Sequence, residues 1–172
     1  MEIEDDDHDP WNEPAHRHPR AAELMHDEMF WDCANELAPF GSDEGADAYA
    51  EYRRWRRENP TLNLADCLAW ILNDNIADYN QSLLEDEALE ECDESADRMG
   101  YSDAFTLDAT IIATVLGQLI DEGRIDPAAK PYAQIAIARQ SHPMLLGNFE
   151  DESVAAERRD ILDKVSKIID VG

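Results

Sequence analysis

Apolar residues recur at intervals of three and four along most of the chain, the spacing that lines one face of an α-helix. No stretch alternates apolar and polar positions over the length of a strand. The first stripe predicts a helix over 21–37 that stops before Pro39, because proline disfavours helical dihedrals in the residue ahead of it and offers no N–H. Ser42 then stands where an N-cap belongs. Asp43 and Glu44 suit the positive end of a helix dipole, and Arg53, Arg54, Arg56 and Arg57 the negative end. The helix this predicts, 43–58, carries Ala48, Tyr49, Tyr52 and Trp55 as one aromatic stripe, with Pro60 just beyond it.

Leu64, Leu68, Ile71, Leu72 and Tyr79 predict a third helix over 63–79 with Asn63 as its cap, and 83–98 reads as a polar, exposed helix closed near Gly100. From Thr106 onward, Ile111, Ile112, Val115, Leu116, Leu119 and Ile120 form the most continuous stripe of the chain, stopped at Gly123. This is the expected central helix. Pro131 opens a segment carrying Tyr132, Ile135 and Ala136 that ends at His142-Pro143, and 152–170 sets Val154, Ile161, Leu162, Val165, Ile168 and Ile169 on one face. The pattern predicts an all-α protein: a single compact helical domain of about six helices over 21–172. Residues 1–20 combine an acid run with Pro10, Pro14 and Pro19 and too few apolar side chains to offset the entropy of ordering, so they are expected to form a flexible acidic N-terminal tail.

Charge changes this picture more than length does. Asp and Glu number 40 against 14 Lys and Arg, a formal charge of −26, whereas a general nucleic-acid binder must neutralise phosphates with the opposite sign. Direct DNA or RNA binding is not expected. The excess is concentrated in residues 1–100, with 28 acids against 7 bases, while 101–172 hold 12 against 7. Such a field attracts basic partners and speeds their association, and it also serves solubility alone. The three cysteines, Cys33, Cys67 and Cys92, are an odd number without CxxC spacing, which points away from a disulfide framework and from a thiolate zinc site. The opening MEIEDDDHD lacks the basic and apolar regions of a signal peptide, and the apolar run at 109–120 is too short to span a bilayer. These features fit a cytoplasmic bacterial protein with no membrane partner.

No motif here is a complete catalytic set. Glu23 and His26 form a lone E-x-x-H where a di-iron bundle needs two copies and two further glutamates. His8, His16 and His18 lie in a segment with no scaffold to fix ligand geometry. The carboxylate pairs Glu44–Asp47, Glu87–Glu90 and Glu94–Asp97 share helix faces and offer oxygen ligands for Mg²⁺, the pattern of all-α nucleotide pyrophosphohydrolases. Here the order of the pairs across the two helices is reversed, and eight acids among positions 85–97 produce such pairs by composition alone. The island RRWRR at 53–57 offers guanidinium forks for an anion, with Arg53 and Arg57 flanking Trp55 as a stacking surface. Its plainer role is to complement the helix dipole. No phosphate-binding glycine loop is present, so no nucleotide cofactor is indicated.

The segment FWDCANELAPFGSDEGADAYAEYRRWRRENP, with DCLAWIL at 66–72 and GQLIDEGRIDPAAKP at 117–131, resembles the YfeS-like group of uncharacterised bacterial proteins over about residues 28–145. The resemblance implies a small cytosolic protein and brings no catalytic residues with it. Within that segment Pro39, Gly41 and Ser42 make a corner, and Phe30, Trp31 and Phe40 serve either as the plug beneath it or as the lining of a ligand or peptide cleft beside Asp43, Glu44 and Asp47. The function expected is that of a non-enzymatic intracellular binding protein whose acidic surface engages a basic protein partner, as immunity proteins and nucleic-acid mimics do. The alternative is a Mg²⁺-dependent nucleotide pyrophosphohydrolase using Glu87, Glu90, Glu94 and Asp97.

Overall fold

A computed structural model describes residues 14–95 and 103–172, and every regular element among them is helical. In chain order these are α1 (Pro19–Leu24), α2 (Asp43–Glu58), α3 (Leu64–Ile71), α4 (Asp86–Ser95), α5 (Asp103–Glu122), α6 (Lys130–Gln140), α7 (Pro143–Leu146) and α8 (Glu152–Val171), with short 3₁₀ turns between several of them. The all-α expectation stands. Among the described residues the count is eight, the addition to the segments expected from sequence being a four-residue helix after His142, while two of the expected helices are shortened and followed by 3₁₀ turns.

Helix α5 is the axis of the molecule. All ten residues from Ile111 to Ile120 are buried, and α2, α6, α1, α3 and α4 pack around it. By length and composition it could cross a bilayer, but 72% of its apolar stretch is buried beneath the other helices. An all-round apolar helix is what the centre of a bundle requires. Its end at Gly123 matches the sequence, since φ there is +72°, a left-handed value that glycine adopts without a Cβ penalty. At Gly117, α5 packs against α2 so tightly that a Cβ would stand 2.6 Å from Cδ2 of Tyr49. The absent side chain sets that approach.

Two sequence expectations about helix length are corrected. The stripe over 21–37 does not form one helix: α1 ends at Leu24, and a 3₁₀ turn, Glu28–Trp31, follows under the Asp27 cap. Asp27, Asp32 and Asn35 each accept a backbone N–H two residues on, a local bond that competes with helix continuation. The helix expected over 63–79 stops at Ile71, because Asn73 and Asp74 take φ of 51° and 64° and reverse the chain. The boundary of the tail also moves. Residues 17–20, assigned to it from sequence, are tied to the domain although most of them stay exposed. His18 caps α1 and donates its backbone N–H to Ile120, and the Arg20 guanidinium donates to the carbonyls of Gly123, Val171 and Gly172. Residues 1–13 and 96–102 lie outside the described residues, and with them Asp97 and Gly100.

An acidic groove beside Trp70

Helix α2 presents one face to α5 and another to solvent. The inner face holds two parallel ties at the end of α5. Tyr49 donates to Asp121, which also receives two bonds from the Arg53 fork at 3.0 and 3.1 Å, and Tyr52 donates to Glu122 at 2.9 Å, with Arg56 3.5 Å from the same carboxylate. The arginine island therefore serves the fold. Arg53 binds α5, Arg56 caps the carbonyls of Asn59 and Leu62, Trp55 is 7% exposed in the core, and only Arg54 and Arg57 project outward.

The solvent face of α2 borders a groove. Glu44, Asp47 and Glu51 recur at intervals of three and four, so one stripe of α2 forms an acidic wall. Ala48, Ile71 and the indole of Trp70 supply the apolar floor, and Thr106 and Thr110 of α5 close the other side around about 470 Å³. Trp70 is 48% exposed, which makes it an exception among the ring systems near the core. The left-handed pair Asn73–Asp74 explains it. Asp74 returns its N–H to Ala69 and Asn73 its N–H to Trp70, so α3 ends with Trp70 on its outer side and Asn73 at the groove. A smaller recess of about 180 Å³, lined by Glu36, Gly41, Ser42, Asp43 and Glu44, adjoins at Glu44 and extends the acidic border past the N-terminus of α2.

Asp126 sets where α3 sits. Its carboxylate accepts the Leu64 N–H at 2.8 Å, at the first residue of α3, and pairs with Arg124, while its own N–H donates to Gln118 of α5. Burial pushes this carboxyl up, and the Leu64 N–H, Gln118 and Arg124 together more than offset that, holding it below the usual carboxylate range.

A second polar cluster is sealed inside. Asp108 is fully buried and accepts from Arg139 at 2.7 and 2.8 Å, from Gln140 at 2.6 Å and from Tyr79. Desolvation pushes the Asp108 carboxyl up, against the pull of these donors. It also opposes the charge on Arg139, which the Asp108 carboxylate nonetheless holds above its ordinary value. With every acceptor position met and no opening to solvent, this cluster orders α5, α6 and the Tyr79 turn.

The remaining sequence candidates separate. Phe40 is 2% exposed against Tyr49, with ring centroids 5.4 Å apart, so it is the plug of the corner. Trp31 is half-buried, donates Nε1 to Met25 at 2.8 Å and carries the Arg17 guanidinium over its ring. Glu87, Glu90 and Glu94 are exposed along α4, and among the described residues no three His, Cys, Asp or Glu side chains converge in a metal-holding group. Cys33, Cys67 and Cys92 are free thiols, and burial pushes Cys67 up to about 12. Glu44 and Asp47 are thus the sequence candidates that the fold assembles into the larger groove, with Asp43 in the adjoining recess. Glu51, Trp70, Ile71, Asn73, Thr106 and Thr110 were missed, although the run Asn73-Asp74-Asn75 signalled that α3 could not continue.

No family model, no curated protein and no solved structure matches the chain.

Proposed function

We propose that this chain is a binding protein whose groove between α2, α3 and α5 receives a basic segment of another protein. The observation that carries the reading is the exposed indole of Trp70 on an apolar floor, beside a wall of Glu44, Asp47 and Glu51. Apolar contact surface with a few placed charges is the chemistry of a recognition groove. The carboxylates steer a cationic segment toward the groove and fix its register, and the floor supplies the desolvated contact. The −26 charge extends that steering beyond the groove itself. No observation favours the magnesium-dependent hydrolase over this reading.

The test is direct titration with an amphipathic peptide of leucine, alanine and arginine whose cations stand three and four residues apart. Neutralising the wall with E44Q, D47N and E51Q together should weaken binding by about tenfold or more at low ionic strength, and added salt should narrow the difference. Equal affinity for the peptide in the wild-type and triple-variant proteins would sink the proposal.

A further inference from the structure

The structure assigns the groove an arginine as its anchor: one guanidinium of the partner stacks on the Trp70 indole while its fork meets the carboxylates of α2. This deepens the reading of the groove as a basic-segment site and rests on it.

The chain itself shows the arrangement three times. Arg53 lies over the Tyr49 ring at 4.3 Å and forks onto Asp121. Arg56 lies 5.2 Å from the Trp55 centroid, 5.9 Å from that of Tyr52, and faces Glu122. Arg139 lies 5.6 Å from Tyr79 and forks onto Asp108. In each, a guanidinium lies over an aromatic ring while an acid pairs with it. Trp70 and the acids of α2 bring the same two components to one cavity, and among the described residues no cation lies over the indole.

Physical chemistry separates arginine from lysine at such a place. Guanidinium is planar, weakly hydrated and able to stack and fork at once, whereas ammonium is a compact, strongly hydrated point charge. Tryptophan is the best aromatic face for a cation. Carboxylates alone accept either residue, with the bidentate fork adding some preference for arginine, so the part of the discrimination that W70A removes reports on Trp70. The half-exposed indole also leaves the stacked guanidinium reachable from solvent, as an incoming side chain requires.

The experiment uses the full chain, the arginine peptide above, and the same peptide with every arginine replaced by lysine. The wild-type protein should bind the arginine peptide about five- to tenfold more tightly. W70A should weaken the arginine peptide by a clearly larger factor than the lysine peptide and bring the two close to equal affinity, while W70F should keep most of the preference. Thermal melts of both variants report that the fold persists at this exposed position. If the wild-type protein binds both peptides equally, or W70A weakens both by the same factor, the arginine anchor is overturned and the acidic groove survives. If neither peptide binds, both readings fall together.

Discussion

Asp126 ties α3 to α5, its carboxylate accepting the Leu64 N–H and its backbone N–H donating to Gln118, and the carboxylate makes this tie acid-sensitive. Its folded-state pKa is depressed, as is that of Asp27, which accepts the Met29 N–H and pairs with Lys164 at 2.9 Å. A depressed carboxyl contributes stability that is present above its unfolded value, near 3.9, and is lost as pH falls through the lower folded value. Stability should therefore decline from about pH 4 downward. Asp27 is partly exposed and screened by solvent, so the larger share belongs to Asp126. Thermal melts at about pH 5 and about pH 3 should show a smaller acid loss in D126N than in the wild-type protein, together with a lower midpoint at neutral pH. An acid limb that is the same in D126N would refute this assignment. Asp108 is the contrasting residue: nothing around it in sequence marks it, because Tyr79, Arg139 and Gln140 reach it only when three segments of the chain are folded together.

Among the elements, the pair α2 and α5 determines the shape of the groove. Their separation is set at Gly117, opposite a Tyr49 ring that is buried and tethered at its hydroxyl by Asp121 and Arg53. Alanine is the better helix former, yet at G117A the new methyl meets the base of a ring that has no room to swing. Overpacking of this kind typically costs about 1–3 kcal/mol, so G117A should lower the denaturant midpoint despite its higher propensity. An unchanged or raised midpoint would show that α2 gives way, and with it the wall formed by Glu44, Asp47 and Glu51. The same scale explains α3. Its capping box, Asn63 with Asp66, starts it where the sequence indicates, and Asn73 and Asp74 end it early because short polar side chains tolerate left-handed backbone.

For the whole molecule, the acidic excess acts on stability and on binding with opposite signs. Like charges spread over the surface repel in the compact state, so raising NaCl from about 50 to about 300 mM at neutral pH should raise the melting temperature by shortening the screening length. The same addition should weaken the basic peptide, because steering and the contacts at the rim are screened as well. Melting curves and titrations over one salt series check both. A melting temperature that falls with salt would mean that ion pairs such as Arg53–Asp121 outweigh the repulsion.

What the amino-acid sequence determined by itself was local: the helical period, the cap at Ser42, both ends of α2, the stop at Gly123 and the apolar stripe of α5. Each depends on residues within a turn or two of one another, so each is written contiguously. The loss of the 21–37 helix was less legible, since aspartate side chains bonding two residues ahead compete with a helix only by a narrow margin. Tertiary structure alone decided that Tyr49 and Tyr52 meet Asp121 and Glu122, that two of the island's four arginines, Arg53 and Arg56, are consumed within the fold, and that Trp70 remains outside. It alone placed Glu44 and Asp47 across from Thr106 and Thr110. Those neighbours lie some sixty residues apart in the chain, and only the packing of α2 on α5, fixed by the size of a missing side chain at Gly117, brings them to one groove.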